Sequence, residues 1–136
     1  MLAIFIPFAI LISIIDIRSH RIPNKILLLA FSSLLLYGLY QGRGLSVANL
    51  VTCGWFFAVG LSLSLLGDMG AGDVKLLTII GLFIVPPTGP GVSGFFAGFL
   101  GSITIHILIY LLRHRTLQGS FPLAPSILLG AIWSAR

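Results

Sequence analysis

Charged side chains are scarce throughout this chain of 136 residues. Lysine, arginine, aspartate and glutamate make up only 8% of the residues and hydrophobic residues 57%, whereas a soluble domain carries roughly 25% charged residues. The apolar segments exceed what a soluble core of this length could bury, and no polar stretch is long enough to form a separate soluble domain. The composition therefore predicts an integral membrane protein, with lipid around most of its surface.

Cysteine is nearly absent, because Cys53 is the only one. An intrachain disulfide and a four-cysteine metal site are therefore excluded, and its apolar surroundings favour a small core residue. No cluster of His, Cys and carboxylate residues has metal-ligand spacing, so we expect no metal and no cofactor. The net charge of +5 comes from short segments between apolar runs. Since no basic stripe is present, we expect no nucleic-acid partner.

Six apolar runs alternate with short polar segments, which predicts an all-α bundle of about six transmembrane helices. The predicted spans are residues 1–15, 25–40, 47–66, 73–85, 92–112 and 121–133. The first run lacks the basic start and the cleavage site of a signal peptide, so we interpret it as a retained helix. A bilayer core of roughly 30 Å takes about 20 residues to cross. The second, fourth and sixth spans are therefore short, and would extend into flanking residues, thin the bilayer or stop within the bundle.

Basic residues are divided unequally between the two sets of loops. The loops after the first, third and fifth spans contain Arg18, Arg21, Lys25, Lys75, Arg113 and Arg115. The opposite side carries Arg43 and Arg136. By the positive-inside rule, this asymmetry predicts cytoplasmic loops on the first side and both termini outside. All acidic residues would then lie on the cytoplasmic side, because two spans separate Asp16 from Asp73.

Acidic residues are the rarest charged type, and two of the three lie in one glycine-rich stretch. Asp68 and Asp73 fall within GDMGAGDVK at residues 67–75. A carboxylate near or within a membrane indicates a functional site by default. Gly70 and Gly72 allow backbone conformations and close approaches that a Cβ would forbid. The VKLL that follows predicts the first turn of a helix, with Asp73 at its cap.

Asp16 and Asp73 are the candidates for a catalytic pair. Two carboxylates that share a site do not both ionise easily, so one keeps its proton. The anion can take a proton from water while the neutral group polarises a carbonyl. Helix dipoles favour an anionic Asp73 at a helix start and a protonated Asp16 near a helix end. We therefore expect Asp73 to be the base and Asp16 to hold the proton. The simpler alternative for each carboxylate is a helix cap or a charge that faces water.

Three segments together resemble the motifs of a known family. Asp16 precedes RIPN at residues 21–24, GAGDVKL follows at residues 70–76, and FPLAP at residues 121–125 precedes Gly130. In order and spacing they resemble the type IV prepilin peptidases, which are GxGD-type aspartic membrane proteases, and the resemblance covers nearly the whole chain. FPLAP is similar to the Pro-x-x-Pro pattern that begins the last helix of the family.

The resemblance implies a function and its residues. Asp16 and Asp73 would be the catalytic aspartates, and Gly70 and Gly72 would shape the loop that brings Asp73 to the peptide. Family members remove a short basic leader from prepilin or pseudopilin precursors at the cytoplasmic face of the bacterial inner membrane, cutting after a glycine.

Large members also carry an N-terminal cytoplasmic domain with paired cysteines and methylate the new N-terminus. Because this chain begins directly at its first span, we expect a single membrane-embedded peptidase domain over residues 1–136, without a methyltransferase or zinc domain. The chain thus resembles the short, peptidase-only form associated with Flp/Tad-type pili or pseudopilins.

Several residues near these motifs have two interpretations. Asp68 is either a solvated loop charge or a contact for the basic leader. Lys75 either extends from the helix start toward lipid headgroups or biases Asp73 toward the anion. His106, within an apolar span, is expected to be a hydrogen-bonded packing residue. The GxxxG pattern of Gly94 and Gly98 permits close helix contact, either within the bundle or between copies of the chain. The oligomeric state is left open.

Two other functions compete with the peptidase. A small proton-coupled transporter would be favoured by acidic residues deep within the spans and by internal repeats. Here all three acids lie at span ends and no repeat is evident, which favours the peptidase. A catalytically inactive family member that acts in pilus or secretion assembly would have the same sequence pattern, so that alternative stays open.

Overall fold

All regular secondary structure in the described part of the chain is helical. The computed structural model describes residues 1–19, 21–42, 44–66, 69–114 and 122–134. Within these ranges there are six α-helices and no strand, which confirms the predicted all-α class. The helices are α1 (Leu2–Ser19), α2 (Asn24–Tyr40), α3 (Val47–Leu65), α4 (Ala71–Phe83), α5 (Gly89–His114) and α6 (Ala124–Ser134).

Three of the helices are long and apolar enough to cross a membrane. These are α1, α3 and the Gly89–Ile109 part of α5. The second, fourth and sixth helices have 17, 13 and 11 residues, as the short predicted spans implied. At 1.5 Å per residue, α4 is about 20 Å long and cannot cross a core of roughly 30 Å by itself.

Two helix boundaries differ from the prediction in ways that matter for the acidic residues. α1 continues to Ser19, whose hydroxyl donates to the carbonyl of Ile15. Asp16 therefore lies inside the helix rather than after it. α4 begins at Ala71 with Gly70 as its N-cap. Asp73 is consequently the third residue of the helix, and the prediction that it is the cap is wrong.

α4 is the central helix of the bundle. It contacts α2, α3 and α6, and eight of its 13 residues are buried. Large apolar side chains are exposed on the other five helices but not on α4, so the outer helices present an apolar surface to lipid. A polar side chain at the start of α4 is thereby placed among the other helices.

α5 and α6 pack closely through glycine. A Cβ added to Gly98 would lie 2.7 Å from Cβ of Trp133 and 3.1 Å from Cα of Gly130. The two helix backbones can approach this closely because neither glycine has a side chain. The GxxxG pattern therefore serves packing within the bundle, as one of its two interpretations proposed.

Candidate active site

Asp16 is a buried carboxylate that binds the start of α6. Its side chain is only 4% exposed, and its Oδ2 accepts a 3.1 Å hydrogen bond from the backbone N–H of Ala124, the first residue of α6. The first N–H groups of a helix have no partner within the helix, and they carry the positive end of its dipole. The hydrogen bond and the dipole both favour negative charge at this position, whereas the burial of Asp16 opposes it.

Asp73 lies in the first turn of α4, where the chain turns at Gly70. The backbone N–H groups of Asp73 and Val74 donate to the Gly70 carbonyl at 3.0 and 3.2 Å, which starts the helix. A Cβ added to Gly70 would lie 3.2 Å from Oδ2 of Asp73. The φ and ψ of Gly70 are −73° and 151°, so this glycine leaves room for the carboxylate rather than providing an unusual backbone conformation.

The carboxylate of Asp73 is partly buried and incompletely hydrogen-bonded. Oδ1 is buried and has no hydrogen-bond partner within the described ranges. The pKa of Asp73 is raised to about 6, first by burial and then by the negative charge of Asp16, while a hydrogen bond with the Gly70 backbone lowers it. The fold therefore brings the two predicted catalytic carboxylates close enough to influence each other electrostatically.

The structure adds two influences that the sequence-based expectation for the protons of Asp16 and Asp73 did not include. We expected an anionic Asp73 and a protonated Asp16, on the basis of the dipoles of their own helices. The start of α6 donates a hydrogen bond to Asp16, and burial and the charge of Asp16 raise the pKa of Asp73. Which of the two carboxylates holds the proton stays a prediction.

The segment before α2 packs against the start of α4 at two points. A Cβ added to Gly72 would lie 3.0 Å from Cβ of Ile22, so only glycine allows this approach without displacement of the neighbour. Lys75 Nζ donates a 2.8 Å hydrogen bond to Oδ1 of Asn24. Gly72 and Lys75 therefore join the RIPN and GAGDVKL motifs to each other, and Lys75 is directed toward α2.

Sequence reasoning missed two of these contacts. Asn24 was part of a motif but had no assigned partner, although both Asn24 and Lys75 are polar residues at the starts of neighbouring helices. The backbone N–H of Ala124 was missed as well, because a backbone donor leaves no side-chain signal beyond the flanking prolines. Asp68 lies outside the described residues, so its contact with a leader peptide stays a prediction.

An apolar cavity extends to the starts of α4 and α6. It has a volume of about 510 Å³ and lies between α3, α4 and α5, where Phe56, Leu77 and Phe95 line it. Met69 and Leu123 line it too. The first of these immediately precedes the N-cap of α4, and the second immediately precedes α6. An apolar segment in this cavity would therefore lie beside the start of α4, which carries Asp73, and the start of α6, which donates a hydrogen bond to Asp16. Within the described ranges, no group of three or more His, Cys, Asp and Glu residues could hold a metal ion.

Comparison with known proteins gives one family. A family model described as the type IV leader peptidase family matches residues 3–134. That range includes all six helices except the first residue of α1, and it includes both Asp16 and Asp73. No curated protein and no solved structure matches the chain at a significant level.

Proposed function

The chain belongs to the type IV leader peptidase family, and we propose that it is an aspartic endopeptidase that removes the basic leader from prepilin-like precursors. The observation that carries this proposal is the pairing of Asp16 and Asp73. These carboxylates come from helices far apart in sequence, and the charge of one raises the pKa of the other. Such pairs divide proton donation and acceptance between two carboxyl groups.

In the proposed mechanism, Asp16 is the base and Asp73 the acid. As a water oxygen attacks the carbon of the scissile carbonyl, the water proton passes to Asp16 and the proton of Asp73 passes to the carbonyl oxygen. The C–N bond then breaks. The leaving nitrogen receives the proton from Asp16, while Asp73 recovers a proton from the collapsing diol. Each carboxyl group returns to its starting state, so no further proton carrier is required.

The surroundings of each carboxylate support this division of roles. The hydrogen bond from Ala124 orients Asp16 and favours its ionised form. Burial of Asp73 favours its neutral form, and a neutral carboxyl group can donate to a carbonyl oxygen. Substrate would exclude more water from the site, and this further desolvation would favour the proton on Asp73.

We propose that the substrate is a precursor with a basic leader followed by an apolar helix, as in Flp/Tad pilins or pseudopilins. The apolar cavity that ends at Met69 and Leu123 supports a substrate of this class. The excess of basic residues in the loops after α1, α3 and α5 supports a site at the cytoplasmic face of a bacterial inner membrane. Cleavage there would occur where the apolar helix of the precursor emerges from the bilayer.

Asp68 is proposed to contact the basic leader. It is the remaining acidic residue of the chain and precedes Gly70 by two positions, while the neighbouring loops are cationic. The test is to compare Asp68→Asn with the parent on two precursors that differ only in the number of basic leader residues. The proposal predicts a higher KM of the variant for the more basic leader alone. Equal KM values for both leaders would exclude this role.

Co-expression with candidate prepilins tests the function as a whole. Parent, Asp16→Asn and Asp73→Asn chains are each expressed with the same precursor, and the mass of the pilin is measured. Loss of the leader with the parent and with neither variant supports the aspartic peptidase. Intact precursor in all three cases contradicts it for that substrate, and leader loss in all three would assign the cleavage to another enzyme.

A further inference from the structure

A buried polar cluster joins α5 to α6 close to the hydrogen bond on Asp16. The hydroxyl of Ser126 is fully buried. Its Oγ lies 2.9 Å from Nδ1 of His106 and 3.4 Å from the hydroxyl oxygen of Ser102. Ser102 and His106 are four residues apart on α5, which places them on one face of that helix. The expected hydrogen-bonded role of His106 is confirmed.

This cluster constrains how α6 lies against α5. A buried hydroxyl is costly unless it is hydrogen-bonded, and hydrogen bonds are directional and short. The Gly98–Gly130 contact sets how closely the helices approach, but apolar and glycine contacts tolerate a small slide or rotation. The hydrogen bonds of Ser126 are retained only where its Oγ faces His106, so they select one register of α6.

The register of α6 decides where its first N–H group lies. Ala124 precedes Ser126 by two residues, in the same first turn. A slip of one residue moves a helix by 1.5 Å along its axis and turns it by about 100°. Either change would separate the N–H of Ala124 from Oδ2 of Asp16, which are now 3.1 Å apart.

We propose that His106 and Ser126 are positioning residues of the peptidase, whose contact holds α6 in the register that directs the Ala124 N–H to Asp16. They do not touch the reacting atoms, and they act through the anionic state and orientation of Asp16. The effect on cleavage rests on the function proposed above. The effect on the Ala124–Asp16 hydrogen bond does not, since it depends only on the fold.

One substitution of His106 should retain the contact with Ser126, and a substitution elsewhere on α6 serves as a matched control. In His106→Asn, a side-chain amide atom takes nearly the place of Nδ1, whereas His106→Gln places the amide nearer the position of Nε2. His106→Leu and Ser126→Ala remove the contact. Ser134→Ala is the control, because Ser134 is also buried on α6 but its hydroxyl donates to Ala131 within the same helix.

The first readout is the amide resonance of Ala124 in nitrogen-labelled protein in detergent micelles. Asp16→Asn gives the reference shift for a weakened hydrogen bond. We expect Ser126→Ala, His106→Leu and His106→Gln to move the Ala124 resonance in the same direction, and His106→Asn and Ser134→Ala to leave it near the parent position. An Ala124 resonance that does not move in Ser126→Ala and His106→Leu would overturn the proposal.

The second readout is the rate of leader cleavage per mole of folded enzyme. We expect Ser126→Ala and His106→Leu to lower kcat by about tenfold to a hundredfold, because a small misplacement of a catalytic group is this costly, with KM within about twofold of the parent. The double variant should lose less than the two single losses combined, since both substitutions remove the same contact. A purely structural role predicts less folded protein with an unchanged kcat, which would contradict the proposal. Should the parent cleave no prepilin, the proposed function fails while the resonance of Ala124 still decides this inference.

Discussion

The backbone N–H of Ala124 donates a 3.1 Å hydrogen bond to Oδ2 of Asp16, across 108 residues of sequence. This contact makes the start of α6 a third part of the candidate site, beside α1 and α4. α6 also contacts both of those helices. The charge state of the carboxylate pair therefore depends on a helix that carries no acidic residue.

Neutralising Asp16 should make Asp73 more acidic. The negative charge of Asp16 is the second cause, after burial, of the raised pKa of Asp73. In Asp16→Asn we therefore expect the pKa of Asp73 to fall below about 6 but to stay above its ordinary value of 3.8, because burial persists. Titration of carbon-labelled aspartate by NMR measures this directly. The chain has only three acidic side chains, and an Asp68→Asn background leaves two. An unchanged pKa of Asp73 would show that the carboxylates do not interact.

Asp73 should reduce the stability of the protein at neutral pH. Its pKa is higher in the folded state than the ordinary value of 3.8, so the folded state binds the proton more tightly. The folded state is therefore stabilised relative to the unfolded state at low pH, where Asp73 is protonated, and this advantage is lost as the pH rises through about 6. We expect Asp73→Asn to be more stable than the parent by about 1 kcal/mol near pH 8, after allowance for solvent access, and to lose most of that gain near pH 4. Thermal unfolding in detergent at the two pH values measures the difference. An equal gain at both would contradict a raised pKa.

Adding a methyl group at Gly72 should displace the RIPN segment. A Cβ there would lie 3.0 Å from Cβ of Ile22, so Gly72→Ala is expected to slow leader cleavage by about tenfold or more through movement of the start of α4. Removal of the Cβ of Ile22 in the double variant Gly72→Ala, Ile22→Gly should restore part of the rate. Gly54→Ala is the matched control, because a Cβ at Gly54 meets nothing within 4 Å. A rate for Gly72→Ala equal to that of Gly54→Ala would show that the contact is unimportant.

Asn24 and Lys75 should contribute to the free energy of unfolding as a coupled pair. Their 2.8 Å hydrogen bond joins the starts of α2 and α4, but it is exposed, so its contribution to stability is only about 0.5–1 kcal/mol. In a double-mutant cycle of Asn24→Ala and Lys75→Ala, we expect a coupling of that size in the free energy of unfolding. Lys25→Ala, which removes another exposed lysine near the start of α2, is the control for net charge. Additive effects of the two substitutions would mean that the hydrogen bond contributes nothing.

Much of the fold followed from the sequence for simple reasons. Long apolar runs, prolines and glycines mark helices and their ends, so all six helices were predicted, with most ends within three residues of the structure. The two candidate carboxylates were found because charge is rare in such a chain. The late end of α1 was missed because DIRS at residues 16–19 is polar, and polarity alone does not end a helix.

The surroundings of the two carboxylates could not be predicted from local sequence. The helix dipole argument considered only the helix to which each aspartate belongs. For Asp16 the decisive neighbour is the start of α6, and for Asp73 it is the burial produced by packing of α4 among the other helices. Both are long-range consequences of the tertiary structure. The link from Ser126 to His106 is of the same kind, since neither residue lies in a motif.

Cleavage by purified enzyme tests the central claim most directly. Parent, Asp16→Asn and Asp73→Asn proteins are incubated with a full-length prepilin, and the products are identified by mass spectrometry, with thermal unfolding as the check that each variant is folded. We predict that the parent releases the leader after a glycine and that each variant is slower by about a hundredfold to ten-thousandfold, as expected for loss of a general acid or base. Cleavage by a folded Asp16→Asn or Asp73→Asn enzyme at the parental rate would contradict the account.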